Sequence, residues 1–178
     1  MNSTKTDFPD HFSLKEGQIH STVFVADSAC VVGQVFIEEQ SSVWYNTVLR
    51  ADLNRIYVGQ RSNIQDGCIL HLENDLPCVV RNDVTVGHGA ILHACEISDA
   101  VLIGMGAIVL NGAKIGTGAV IAAGAVVKEG QVVPECTMWA GVPAKQLKVL
   151  DQSSIENNKR WAAKYVRLAQ KHRDLAQS

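Results

Sequence analysis

No CxxC pair occurs in the 178 residues, and the five cysteines, Cys30, Cys68, Cys78, Cys95 and Cys136, are odd in number and scattered. A disulfide framework or a cysteine-ligated zinc site would need paired or closely spaced thiols, so neither is expected. Charge of one sign is also lacking: the formal net charge is -2 with 19% charged residues. That balance gives no footing for a nucleic-acid or other polyanion partner. The first ten residues are polar and contain no apolar signal-like core. No apolar run approaches the length that crosses a bilayer. A reducing, cytoplasmic setting and no membrane contact are the expectations.

What is present is a beat of six. Aliphatic residues recur at Ile19, Val25, Val31, Ile37, Val43 and Leu49, resume at Val58, Ile64 and Leu70, and resume again at Val80, Val86 and Leu92. One residue is dropped before Ile97, after which Ile103, Val109, Ile115, Ile121, Val127 and Val133 complete the array. The fifth position is small or β-branched (Ala29, Val35, Thr47, Ala107, Ala119, Ala125), and glycine is frequent at the second and fourth. An amphipathic helix needs apolar residues at i, i+3, i+4 and i+7, and so much Gly and Val forms helix poorly. A short strand followed by a tight corner, repeated, gives this period. Three hexads make one triangular coil with the aliphatic residue inside, and successive coils pair as parallel strands about 4.8 Å apart. The fold expected is an all-β solenoid. The period leaves the hand open, and the left-handed form of the parallel β-helix is assigned by resemblance to other hexapeptide-repeat chains.

Residues 1–18 read as an irregular lead, 19–145 as the β-helix, and 146–178 as a linker and an amphipathic helix. Gly141-Val142-Pro143-Ala144-Lys145 closes the last coil. The helix is expected to start at Ser153 with Glu156 completing a capping box. Ile155, Trp161, Tyr165, Leu168 and His172 would share its packing face, against the prism or a neighbouring chain. Trp44 and Tyr45 fall at corners and suit interface packing.

Stacking brings the polar residues into columns. Leu49, Leu70 and Leu92 lie three hexads apart, so the column after them reads Val32, Arg50, His71, His93, Leu110. His88 belongs to another corner, above Asp66 and beside Gln65. A packed core separates the two corners within one chain, but a parallel homotrimer brings one corner of each copy against a different corner of the next. Three neutral imidazoles and a water make an open catalytic zinc shell, and Zn2+ is the expected metal, with Fe2+ or Co2+ as alternatives. For any single histidine a surface or interface role is the ordinary explanation; convergence of three is what points to a metal. The same register sets Arg50 opposite Asp66 of the next copy, an expected ion pair beneath the metal. Cys68 reads as a small core thiol; Cys95, two residues after His93, is not expected to ligate.

Arg50-Ala51-Asp52, Asn63-Ile64-Gln65-Asp66-Gly67, His71, and Val86-Gly87-His88-Gly89-Ala90-Ile91-Leu92-His93 together resemble the γ-class carbonic anhydrases, over about Ile19 to Lys145. The resemblance implies that His71 and His93 ligate from one subunit and His88 from the next. It implies too that Gln65 orients the hydroxide, that Arg50 and Asp66 carry the intersubunit pair, and that Asp52 and Asn63 support the site. The reaction implied is hydration of carbon dioxide to bicarbonate, the metal lowering the pKa of its water to roughly 7. Two departures bear on proton export. The loop after His71 is short, with only Glu73 and Asp75, and Leu53 stands where the family pattern has an acid. Buffer would then collect the proton and turnover would be slower.

Two other functions fit a hexapeptide array. One is an acyltransferase using acetyl-CoA, or an acyl-CoA thioesterase, since Gly141 to Lys145 resembles the closing motif of hexapeptide acetyltransferases. The other is a non-catalytic scaffold that keeps the metal for trimer stability.

Overall fold

A computed structural model describes residues 18–176, so the lead expected over 1–18 falls almost wholly outside the described residues. The array winds as a left-handed parallel β-helix of about six turns. One face of the prism stacks Phe24–Val25, Ser42–Val43, Asn63–Ile64, Thr85–Val86, Leu102–Ile103, Val120–Ile121 and Thr137–Ala140, each parallel to the next. A second face holds the first halves of Cys30–Ile37 and Val48–Val58, then Ile69–His71, Ile91–His93, Ile108–Val109 and Val126–Val127. The second halves of the two long strands turn the corner onto a third face with Cys78–Val80, Glu96–Ile97, Lys114–Ile115 and Val132–Val133.

The first residue of each hexad is the core. Ile37, Val43, Leu49, Val58, Ile64, Leu70, Val80, Val86 and Leu92, then Ile97 through Val133, are at most 2% exposed. Ile19, Val25 and Val31 are only partly buried, because they form the first coil and no coil lies beneath them among the described residues. At the regular corners from Gln40 onward the fourth position has positive φ, whether the residue is Gly89 (φ 68°) or Asn46 (φ 57°), and this explains the glycine there. At the second position glycine answers a different need. A Cβ on Gly87 would lie 2.8 Å from the Met105 backbone nitrogen of the coil above.

Two features differ from the expectation. Lys145–Val149, expected to run from the end of the array into a linker, forms a strand antiparallel to Thr137–Ala140 and continues the first face past its last parallel rung. The helix, Ser153–Ala176, begins where expected, but its cap is Asp151, whose Oδ1 accepts the Ser153 amide at 2.7 Å. Glu156 reaches forward to Lys159 (3.1 Å) rather than back to the cap, so no capping box forms.

The helix packs on its own chain, against the first face. Its buried residues are Ser154, Asn158, Ala162 and Ala169, and Asn158 donates to the Ala100 carbonyl at 2.8 Å. Trp161 is 51% exposed and lies at the margin of that face, since the buried line follows small residues that let the helix approach the sheet. The helix covers Trp44 and touches Tyr45, which stays exposed: Trp44 meets Phe24, Tyr165 and His172 at ring separations of 5.0–5.5 Å, and the Tyr45 hydroxyl bonds His172 Nδ1 at 2.9 Å. Intramolecular packing therefore accounts for both.

Candidate metal centre

All three irregularities of the repeat fall at one corner, between the second and third faces. Three extra residues, Asp52-Leu53-Asn54, bulge from Val48–Val58 where Gly33 pairs with Ala51 but Gln34 with Arg55. The second insertion follows His71, and the dropped residue follows His93. The two insertions touch, Asn54 Nδ2 donating to the Asn74 carbonyl at 2.8 Å. Leu53 packs against the core, and so offers no acid to the site.

His71 and His93 are direct partners across adjacent strands, and Arg50 stands one coil below, next to the Leu49–Leu70 pair. His71 Nδ1 and His93 Nε2 are 3.0 Å apart. The outer nitrogens are each held by an oxygen: His71 Nε2 by Asp52 Oδ1 at 3.0 Å, and His93 Nδ1 by Asn111 Oδ1 at 2.6 Å. Asp52 also binds Arg50. Burial raises the Asp52 pKa, but the bonds from Arg50 and His71 outweigh it, and the carboxyl is held below its usual range.

The other four residues singled out from the sequence sit together at a different corner. Asp66 Oδ2 accepts from His88 Nδ1 at 2.8 Å, which leaves His88 Nε2 without a partner among the described residues. Asn63 is fixed by Thr85 Oγ1 (3.1 Å) and accepts the Gln65 amide at 3.0 Å. Gln65 and His88 border an apolar cavity of about 430 Å³ that also meets Met105, Met138, Trp161 and Tyr165. Burial and the nearby Asp66 carboxylate push the Tyr165 hydroxyl pKa up. Within one chain Arg50 is engaged by Asp52 and Asp66 by His88, and among the described residues no three His, Cys, Asp or Glu side chains converge on one point. Cys95 is buried beside Cys78, whose hydrogen bond, together with burial, raises its pKa, and it belongs to the core.

The donor set suits a divalent metal. Metal-ligating histidines hand their second nitrogen to a carboxylate or carbonyl, which fixes tautomer and ring orientation. Asp52, Asn111 and Asp66 stand in those places. His71 Nδ1 and His93 Nε2 face each other at 3.0 Å, a spacing at which the two rings can share one proton or turn outward to one cation. Asn111 and Tyr165 were not singled out from the sequence. Asn111 follows Leu110, the residue stacked one coil above His93, so counting columns passed it by and only its side-chain reach brings it to the ring. Tyr165 reaches the cavity only through the packing of the helix.

Comparison with known proteins finds relatives over most of the chain. Carbonic anhydrase of Geobacillus kaustophilus is 44% identical over 163 residues, covering 92% of this chain and 90% of that one. Gamma carbonic anhydrase 2, mitochondrial, of Arabidopsis thaliana is 40% identical over 164 residues, covering 89% of this chain. The chain belongs to the γ-class carbonic anhydrase family. It spans 59% of the length of the Arabidopsis relative. The bacterial transferase hexapeptide family (six repeats) matches residues 94–129, within the regular upper coils of this family member. A solved hexapeptide transferase family protein from Anaplasma phagocytophilum superposes with a TM-score of 0.83 at 37% identity, covering 86% of this chain and 91% of that one.

Proposed function

We propose that this protein is a metal-dependent carbonic anhydrase that hydrates carbon dioxide reversibly to bicarbonate at sites shared between the subunits of a homotrimer. The observation that carries the reading is the division of the site into two halves on different corners. One half holds His71 and His93 with Arg50 and Asp52; the other holds His88 with Asn63, Gln65 and Asp66. Each imidazole has one nitrogen taken by an oxygen and one left over. A second observation supports assembly. Val48, Ile69, Ile91, Ile108 and Val126 form a column of aliphatic side chains on the outside of the second face, and Ile69 is 44% exposed. An apolar stripe on the outer surface of a prism calls for a cover, and an identical copy supplies one.

In this reading His71 and His93 of one copy and His88 of the next hold the ion, Zn2+ with Fe2+ or Co2+ as alternatives. The metal, when bound, lowers the pKa of a water towards about 7 and so makes a nucleophile available at neutral pH. Asn63 fixes the Gln65 amide, which leaves Gln65 Oε1 to accept the hydrogen of the attacking oxygen and aim its lone pair at carbon. The apolar cavity beside Gln65 offers a lining suited to an apolar gas. Arg50, extending past Asp52, reaches Asp66 of the next copy and ties the halves together. All five cysteines are unpaired, which suits a reducing, cytoplasmic setting, and no helix among the described residues is long and apolar enough to cross a membrane.

Mixing variants tests the shared site. His71→Ala and His88→Ala homotrimers should each be inactive in carbon dioxide hydration. Co-refolded at equal amounts they should recover about one quarter of the wild-type sites, since each site draws its halves independently from two neighbours. No recovery beyond the separate variants would end the reading. The likeness to a hexapeptide transferase family protein favours one alternative, group transfer, which in a hexapeptide array we read as acyl transfer or thioester hydrolysis with CoA. Micromolar binding of acetyl-CoA in calorimetry, without metal-dependent hydration, would put that alternative first.

A further inference from the structure

We infer that Asn111 is a positioning residue for His93 and that Glu73 is its clamp; the inference rests on reading His93 as a metal ligand. An asparagine amide can face either way, and only its oxygen can accept from an imidazole N–H. Here Asn111 Nδ2 donates to Glu73 Oε1 at 3.3 Å, which turns Oδ1 towards His93 Nδ1 at 2.6 Å. Glu73 accepts only, so the order is forced: carboxylate, amide nitrogen, amide oxygen, imidazole N–H. His93 is thereby fixed as the Nδ1–H tautomer with the Nε2 lone pair turned to His71.

The sequence supplies the parts from three places. His93 ends one strand, Asn111 lies at the corresponding corner one coil higher, and Glu73 belongs to the insertion below. That insertion has a local turn, the Glu73 amide donating to the Leu76 carbonyl at 3.0 Å, and is tied to the neighbouring bulge by Asn54. A short loop that lacks the family's longer acidic stretch thus retains a task, holding an amide in one orientation. His71 has a carboxylate in the corresponding place, Asp52, and His88 has Asp66. His93 alone is served by a neutral amide, and a neutral amide needs a clamp that a carboxylate does not.

The test uses the full-length protein, with Co2+ as probe. Asn111→Ala should weaken Co2+ binding about 10- to 100-fold, the usual effect of losing such an outer partner. Asn111→Asp combined with Glu73→Ala should restore most of it, because a carboxylate oxygen takes the same N–H and no second carboxylate then faces it. Glu73→Ala should cost less than Asn111→Ala, since it frees the amide to turn without removing it. Nitrogen-15 shifts of the His93 ring in metal-free protein give an independent readout: the Nδ1–H tautomer in wild type, a mixture in Asn111→Ala. Co2+ binding within twofold of wild type in Asn111→Ala, or an unchanged tautomer, overturns the inference. Failure of the wild type to bind Co2+ sinks the metal reading instead, and the ring shifts then decide the positioning role alone.

Discussion

His71 and His93 stand in register on adjacent coils with ring nitrogens 3.0 Å apart, and Asp52 takes the far side of the first ring at 3.0 Å. Asp52 therefore serves two partners at once, Arg50 and His71. Asparagine puts an NH2 donor in place of one of the two accepting oxygens and so fails either Arg50 or His71; Asp52→Asn should weaken Zn2+ binding about 10- to 100-fold, as measured by chelator competition. Because the carboxyl is held below its usual range, the stability it contributes is present above the unfolded value of about 4 and is lost as pH falls through the lower folded value. Thermal unfolding of metal-free protein below pH 4 should show a shallower acid limb in the variant. Equal acid limbs would remove Asp52 from the account.

Leu70 lies between Leu49 and Leu92 on the prism axis and is fully buried. Leu70→Ala empties one level of a core that neighbouring coils cannot collapse into, and should cost about 2–5 kcal/mol. Ile115→Ala, also fully buried and one coil above Ile97 on the third face, should cost a similar amount. Urea unfolding gives the stabilities, and chelator competition should show metal affinity falling in Leu70→Ala alone, because only that level carries His71. Loss of affinity in both variants would mean that global stability, not local support, sets binding.

How much of this was legible in the sequence varies with the physics involved. The axis from Ile37 to Val133 could be read because a six-residue period has one steric solution, and each of those side chains is buried. The columns followed from the same arithmetic, and the His71–His93 pairing and the Asp66–His88 stack stand where counting put them. What counting cannot supply is side-chain reach. Asp52 and Glu73 sit in insertions outside the repeat, and only their contacts with His71 and Asn111 show what the insertions do. The helix was misjudged by a fraction of a turn because small residues, Ala162 and Ala169, face the sheet while Trp161 stays out. Hydrophobicity ranks tryptophan first; close approach of a helix to a sheet ranks alanine first.

Cys68 is fully buried at the fifth position of its hexad, and desolvation drives its thiol pKa up to about 12. The unfolded thiol ionises nearer pH 9. The contribution of this neutral thiol is thus whole below pH 9 and lost as pH rises towards 12. Cys68→Ala should fold, since Ala90 and Ala107 occupy the same position in the coils above, and should flatten the alkaline limb of stability between those values. At pH 8 the native thiolate fraction is on the order of 10⁻⁴, so iodoacetamide should spare Cys68 until the protein unfolds. Mass spectrometry showing rapid native labelling at this position would contradict the burial.

Gly87 precedes His88 and lies directly beneath the backbone of the next coil. A Cβ there would meet Met105 N at 2.8 Å and Ile103 O at 2.9 Å, backbone atoms that move only if the coil moves. Gly116 is as tightly placed, its added Cβ 2.5 Å from Glu135 N, but it is remote from the histidines. Overpacking of this kind costs about 1–3 kcal/mol, so Gly87→Ala and Gly116→Ala should lose similar stability in urea. They should differ at the site. Gly87→Ala displaces the backbone that carries His88, and a ligand shared between copies tolerates little displacement, so hydration rate and Zn2+ affinity should fall well beyond those of Gly116→Ala. If the two variants retain equal affinity, the corner bearing His88 is not part of the metal centre.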